Sequence, residues 1–394
     1  MRERMLVKLD NNLQLDDPIN EKDEKFLHKL DLPHDLITQY IITRLPIKSL
    51  LQCKSISKQW YSTLSSPYFG NTHFNFSPFY QSFNPIIHNL LIQSGNDYFI
   101  YTYNECDFVD ECNKGLFKLD VNFDDLPKDK ILVIGSCNGL LCLYCSLGYL
   151  IIWNPIINQW VKFSCPSLEN CKNSTWGFGY VSCVDDYKAV RMSESKGNPS
   201  EILVHVFSLR NEEWKQVYDE KICKYVLRGA SLSAGLLIDE TLYWIVYRQG
   251  GEYEQDVLGF DLGFERFDIV QNLVQGDSYI GWVRFLCCMG GCLSMSRVTD
   301  RGDVSVSMLK QSGQVDYIGV YRDLDLGSCC SAVGFTRDGK FFVQVGQREL
   351  GLVNPNCSPK RYTPLFKFKG EGFIDMKSYV PSLVSPSAVS GMQE

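Results

Sequence analysis

Gly135-Ser136-Cys137-Asn138-Gly139-Leu140-Leu141-Cys142-Leu143, followed by Ile151-Ile152-Trp153-Asn154-Pro155 and then by Trp160, decides how most of this chain is read. Two runs of aliphatic, β-branched and aromatic residues flank a glycine- and asparagine-bearing turn, which is the chemistry of short strands in tight succession. The first run recurs as Asn89-Leu90-Leu91-Ile92, Lys188-Ala189-Val190-Arg191, Thr241-Leu242-Tyr243-Trp244, Cys292-Leu293-Ser294-Met295 and Lys340-Phe341-Phe342-Val343. With Leu91, Leu141, Val190, Tyr243, Leu293 and Phe342 as markers, the intervals are 50, 49, 53, 50 and 49 residues. A second run trails each marker, at residues 99–101, 151–155, 204–209, 257–262, 304–309 and 351–355, and Trp160, Trp214 and Phe267 follow three of these. A period near 50 with several strands per unit predicts a β-propeller, and six markers predict six blades. A single blade cannot cover both of its faces, so neighbours must pack face to face around a ring. A two-sheet sandwich is the competing arrangement. One segment departs from the pattern: Trp214, Val217, Tyr218, Ile222, Tyr225 and Val226 fall at helical spacing and predict a short helix within that unit.

Outward toward the N-terminus the chemistry changes. Residues 1–30 are polar and of mixed charge, and read as a mobile leader. In residues 31–69, Leu36, Ile37, Tyr40, Ile41 and Leu45 follow helical spacing behind Asp35. Pro46 ends that pattern and suits the start of a second helix through Ile47, Leu50, Leu51 and Lys54. Ser55 and Ser57 offer caps for a third, carrying Trp60, Tyr61 and Leu64, before Pro67. Three short helices carry more apolar surface than so small a bundle can hide. Either they pack on the rest of the chain, or they present a docking surface to another protein.

Composition narrows the function. The 394 residues carry 45% hydrophobic and 22% charged side chains, which excludes a wholly disordered chain. A net charge of −7 without a basic stripe argues against a nucleic-acid partner. No apolar run approaches membrane-spanning length, and Met1-Arg2-Glu3-Arg4 is followed by no signal-length apolar stretch. The expectation is a soluble protein of the cytoplasm or nucleus. The 16 cysteines, spread widely, read as reduced and mostly buried thiols. Cys142-x2-Cys145 has no partner pair, and five scattered histidines make no zinc pattern. No GxSxG, P-loop or HExxH is present. Asp185-Asp186 reads as a turn between strands. No catalytic residue, metal or cofactor is expected.

Leu32-Pro33-His34-Asp35-Leu36-Ile37, Arg44-Leu45-Pro46-Ile47-Lys48-Ser49-Leu50-Leu51 and Ser57-Lys58-Gln59-Trp60 resemble an F-box, with one residue more than the usual pattern between Leu-Pro and Arg-Leu-Pro. An added residue turns a helix by about 100°. Gly135 to Cys142, Ile152-Trp153-Asn154-Pro155, Gly177-Phe178-Gly179-Tyr180, Asp185-Asp186-Tyr187-Lys188, Phe207-Ser208-Leu209, Phe260-Asp261-Leu262 and Gly290-Gly291-Cys292-Leu293 resemble the plant F-box-associated domain, a kelch-like type. The resemblance implies an α+β multi-domain chain: a mobile leader over 1–30, a three-helix F-box over 31–70, an all-β propeller over 84–380 and a flexible tail over 381–394. It further implies the substrate-recognition subunit of a Skp-cullin-F-box ubiquitin ligase. The F-box would dock on a Skp-type adaptor, and through it reach cullin and RING subunits; the propeller would hold an unidentified target protein. On that basis the adaptor-facing anchors are Leu32, Pro33, Leu36, Leu45, Pro46, Ile47, Leu50 and Leu51, with plain core packing the competing role for each. Candidate target-facing residues are Trp176, Tyr180, Arg248, Tyr253, Tyr279 and Trp282, aromatic or arginine side chains in segments read as rim loops, with blade-core packing the competing role for Trp176 and Tyr180. Two other functions stay open: a scaffold bound to the adaptor alone, and a propeller-fold enzyme.

Overall fold

The computed structural model describes residues 36–76, 89–102, 116–119, 121, 123, 126, 131–167, 171–198, 201–227, 234–251, 254–270, 273, 283–298, 304–310, 312–321, 330–336, 340–346, 348–354, 361–368 and 374–390. By contacts the chain divides into two compact units, Met1–Leu45 and Pro46–Glu394. The expected leader lies outside the described residues.

In the first unit, Ile37–Ile41 forms a π-helical turn, closed by the Ile42 N–H on the Ile37 carbonyl, and Ile42–Arg44 continues as a 3-10 turn. A π-turn is the ordinary way to hold one residue more than an α-helix needs. The additional residue between the two Leu-Pro motifs therefore widens the helix locally.

The second unit opens with three helices: α1 (Ile47–Lys54), α2 (Lys58–Ser65) and α3 (Pro67–Phe76). Pro46 stands at the N-cap of α1 in an extended conformation, where its missing N–H costs nothing. Ser57 caps α2 by accepting the Trp60 N–H at 3.2 Å.

The strands form six antiparallel sheets. The first contains β1 (Asn89–Ser94), β2 (Asp97–Thr102) and β3 (Leu116–Leu119). The second is β4 (Ile131–Cys137), β5 (Leu140–Cys145), β6 (Tyr149–Asn154) and β7 (Gln159–Ser164). The third is β8 (Cys171–Val181), β9 (Asp186–Ser195), β10 (Ile202–Ser208) and β11 (Glu213–Val217). In the fourth, β12 (Tyr225–Val226) and β13 (Leu236–Ile238) share one edge of β14 (Thr241–Arg248), which continues into β15 (Gln255–Asp261) and β16 (Arg266–Val270). The fifth is β17 (Val283–Met289), β18 (Cys292–Val298), β19 (Val304–Leu309) and β20 (Val315–Tyr321). The sixth is β21 (Cys330–Phe335), β22 (Phe341–Val345), β23 (Glu349–Asn354) and β24 (Arg361–Lys367). The C-terminal β25 (Ile374–Ser378) returns to pair with β1, with Ile92 opposite Met376.

Each sheet is a blade of a six-bladed propeller. Contacts run between β25, β4, β8, β13, β17 and β21 in turn and return to β25, so these inner strands surround an axis and the C-terminal strand closes the ring. Among the described residues, a hydrophobic cluster fills each seam between neighbouring blades. Leu91 and Tyr98 meet Leu141 and Trp153 between blades 1 and 2, and Ile152 and Leu150 meet Phe178 and Phe207 between blades 2 and 3. Val190 and Met192 meet Leu242 and Phe260 between blades 3 and 4. Val257 meets Met295, Val306 meets Phe341, and Phe342 meets Leu90 in the remaining three. Alternate residues of one strand therefore serve different seams, and β9 is buried through nine of its ten positions.

Two expectations are corrected. No helix spans Trp214 to Val226. Trp214 and Val217 belong to β11, Glu220–Ile222 is one 3-10 turn, and Tyr225 opens β12. Their spacing satisfies both periods because Trp214, Val217, Ile222 and Tyr225 contact blade cores from three separate elements. The segment 381–390, expected as part of a flexible tail, is packed: Ser382, Leu383 and Val384 are buried and Pro386–Val389 forms α4.

Candidate functional site

The adaptor-facing set is divided by the fold. Leu32 and Pro33 lie outside the described residues. In the first unit Leu36 is 45% exposed, with Tyr40 and Ile41 exposed on the same irregular turn, and Leu45 is half-buried. In the second, Pro46 is exposed and Ile47 half-buried. Leu50 is 0% exposed and Leu51 39%. One residue along an α-helix is a turn of about 100°, so α1 gives Leu50 to its own core and leaves Leu51 facing water. Further exposed apolar residues stand outside the expected anchor set: Ile56, in the turn between α1 and α2, Tyr61 on α2, and Tyr68 and Phe76 on α3. The signal was there in Tyr61, next to the tryptophan of the motif.

Leu51, Lys54, Tyr61, Leu64, Ile156 and Leu383 help line a cleft of about 230 Å³ between α1, α2 and the turn after β6. Burial in it holds the Lys54 ammonium below its usual pKa. Ser65 and Gln159 join Lys54 in its walls, so the cleft sets polar groups beside the Leu51, Ile156 and Leu383 side chains.

The target-facing candidates do not converge. Trp176 lies on β8 with 7% exposure. Its ring stacks on Tyr144 at 4.7 Å, and its carbonyl accepts the Trp244 indole N–H at 3.1 Å. The Arg191 guanidinium, wholly buried, lies 5.6 Å from the Trp176 ring and 6.0 Å from the Trp214 ring. Trp176 is therefore a wall of the seam between blades 2 and 3. Tyr180 is half-buried, donates to Asp185 Oδ1 at 2.7 Å, and neighbours the β8–β9 turn. Arg248, at the end of β14, has its fork committed to Asp256: Nε to Oδ2 at 2.8 Å and Nη2 to Oδ1 at 2.9 Å. Asp256 also accepts the Tyr225 hydroxyl at 2.7 Å. Burial opposes ionisation of Asp256, but the Arg248 and Tyr225 hydrogen bonds prevail and hold its pKa below the usual carboxylate range. In an up-and-down blade the first and third turns leave one rim and the second leaves the other. Tyr180 and Arg248 thus belong to opposite rims. Tyr253, Tyr279 and Trp282 lie outside the described residues.

Asp185 and Asp186 divide between a turn and the core. Asp185 is exposed with φ 51°, while Asp186 is buried and accepts Ser208 Oγ at 2.6 Å and the Arg210 N–H at 2.9 Å. Among the described residues, no group of three His, Cys, Asp or Glu could hold a metal ion, and no helix is long and apolar enough to cross a membrane.

Two family descriptions match the chain: F-box domain over residues 30–72, and F-box associated beta propeller domain over residues 109–305. Among similar proteins is an F-box/kelch-repeat protein of Arabidopsis thaliana, 24% identical over 383 residues, which cover 90% of this chain and 97% of that one. Another is F-box protein CPR1 of Arabidopsis thaliana, 27% identical over 316 residues, covering 71% of this chain and 70% of the relative.

Proposed function

The chain belongs to the F-box associated beta propeller family and carries an F-box domain ahead of that propeller, and from this we propose that it is the target-recognition subunit of a Skp-cullin-F-box ubiquitin ligase. The F-box helices dock on a Skp-type adaptor, which connects them to cullin and RING subunits, and the propeller binds the protein to be modified. The chain itself contributes no catalytic group. It supplies proximity, turning ubiquitin transfer to a bound lysine into an effectively intramolecular step. Its cysteines, free thiols among the described residues, suit work in the cytoplasm or nucleus.

The observation that carries this reading is the unspent apolar surface of the helical region. Leu36, Tyr40 and Ile41 in the first unit, and Leu51, Ile56 and Tyr61 in the second, are all more than a third exposed. Apolar anchors on short helices and the turns between them are what a protein partner needs. The test is capture of the Skp-type adaptor by the full chain beside a Leu32→Ala/Pro33→Ala variant and a Leu51→Ala variant. Strong recovery by the wild type and weak recovery by the variants supports docking. Equal recovery by all three, or none by any, refutes it. Affinity purification with the anchors disabled then accumulates targets rather than losing them. A captured target whose half-life does not change with the chain's level identifies a scaffold on the adaptor instead.

A further inference from the structure

We propose that the C-terminal strap, residues 379–390, is a clasp that holds α3 against blade 2 and so fixes the angle between α1–α3 and the propeller. β25 runs out of blade 1 into Tyr379, whose N–H donates to the Asn89 carbonyl at 3.0 Å. From there the strap crosses the turn between β4 and β5. Ser382 Oγ donates to the Asn138 carbonyl at 2.6 Å, and a Cβ at Gly139 would collide with Ser382. Asn138 and Gly139 both have positive φ, 51° and 81°, so glycine answers two demands there: the turn and the close approach.

Asn154 is the rivet. It is wholly buried at the end of β6, and its Nδ2 donates to the Ser382 carbonyl at 3.1 Å and to the Val384 carbonyl at 2.8 Å. Its Oδ1 accepts the Ile156 N–H at 2.9 Å. A side-chain amide of this length can give two N–H bonds to a neighbouring chain while accepting one from its own turn. Beyond it, Ser385 caps α4, which lies on β6 and β7.

The outer side of the strap receives α3. A Cβ at Gly70 would collide with the Leu383 carbonyl oxygen, so the helix backbone lies directly on the strap. Phe74 of α3 packs into the same cluster as Val384, Phe178 and Phe207. Phe69 and Leu383 are both buried. Helix, strap and blade are thus three layers of one packed seam. For a ligase, a fixed angle keeps a bound target at a constant offset from the site of transfer. That consequence rests on the function proposed above; the clasp itself does not.

The experiment uses the full chain with donor and acceptor dyes on encoded non-natural amino acids at Gln52, exposed on α1, and Asn211, exposed after β10. Single-molecule transfer efficiency is read in the wild type, in Asn154→Asp and in a chain ending at Val380, which keeps β25. Asn154→Asp preserves shape and the acceptor for Ile156 but turns a carboxylate oxygen toward two carbonyls. The clasp requires one narrow population in the wild type. It requires broadened or multiple populations in both variants, with the propeller's cooperative melt retained. An unchanged narrow population in both variants overturns it. A broad wild-type population overturns it as well. So does outright unfolding of both variants, since the strap would then be part of the propeller core. No adaptor is present in this measurement, so its outcome is independent of the docking test.

Discussion

Leu50→Ala and Leu51→Ala, made one at a time, separate packing from docking at adjacent positions of α1. Leu50 is 0% exposed, so truncation loses the transfer free energy of its branched end and leaves a cavity. In well-packed cores these effects together cost ~2–5 kcal/mol, and full burial argues for about 3 kcal/mol here. Leu51 is 39% exposed and already solvated at its tip. Its truncation costs ~1–2 kcal/mol of stability at most, scaling the full burial value of ~1.5–3 kcal/mol by what is covered. At an interface the order reverses. A docked Leu51 enclosed by a partner is an anchor whose loss costs ~2 kcal/mol, which is roughly a 30-fold rise in Kd. Stability is read by urea unfolding, with hydrogen exchange in α1 to register local opening. Affinity is read by calorimetric titration with the Skp-type adaptor at a temperature where both variants are folded. Leu50→Ala should lower stability more and leave Kd within a few-fold, while Leu51→Ala should cost less stability and raise Kd roughly 30-fold. Equal adaptor affinity for wild type and Leu51→Ala, or unaltered stability in Leu50→Ala, refutes the division of roles.

Trp176→Ala should destabilise the chain by ~3–5 kcal/mol as a core aromatic, visible as a lowered melting temperature in the absence of any partner. A silent melt would return Trp176 to the list of binding residues. His205 is held below its ordinary pKa, first by burial and then by the Arg191 charge. The unfolded chain therefore takes up this proton first as pH falls. The stability linked to His205 is complete above the unfolded value near 6.5 and is lost on descent toward the folded pKa. Urea midpoints should fall from pH 7.5 to pH 5.5, and His205→Gln should flatten that slope; an unchanged slope would dismiss the linkage. Burial pushes the Cys137, Cys165 and Cys287 thiols up to about 12. Exposed Cys183 and Cys223 should alkylate in native protein, whereas those three should react only in denaturant, as peptide mass spectrometry would establish. Early labelling of Cys287 would contradict the packing of blade 5.

Much of the propeller was legible because its second and third strands carry dense, periodic apolar chemistry. Leu91, Leu141, Val190, Tyr243, Leu293 and Phe342 all fall on the strand next to the innermost one. These strands sit between neighbouring blades and are largely buried, so apolar residues predominate on them, although β9 also buries Arg191 and β18 buries Ser294 and Arg297. The innermost strands were illegible for the opposite reason. They approach neighbouring blades so closely that glycine replaces larger residues, as at Gly135 against Phe178 and Gly177 against Leu242. In blade 4 that strand is split into β12 and β13, and in blade 1 it comes from the far end of the chain.

The sequence by itself determined the number of units, the spacing of their strands and the presence of an F-box ahead of them, because short-range periodicity and motif order are properties of neighbouring residues. Only the tertiary structure decided which of Leu50 and Leu51 faces water, that Arg248 is already occupied by Asp256, and that the C-terminal residues close the ring and cover Asn154. Burial and hydrogen-bond partnership depend on what arrives from distant parts of the chain. No local pattern records that arrival.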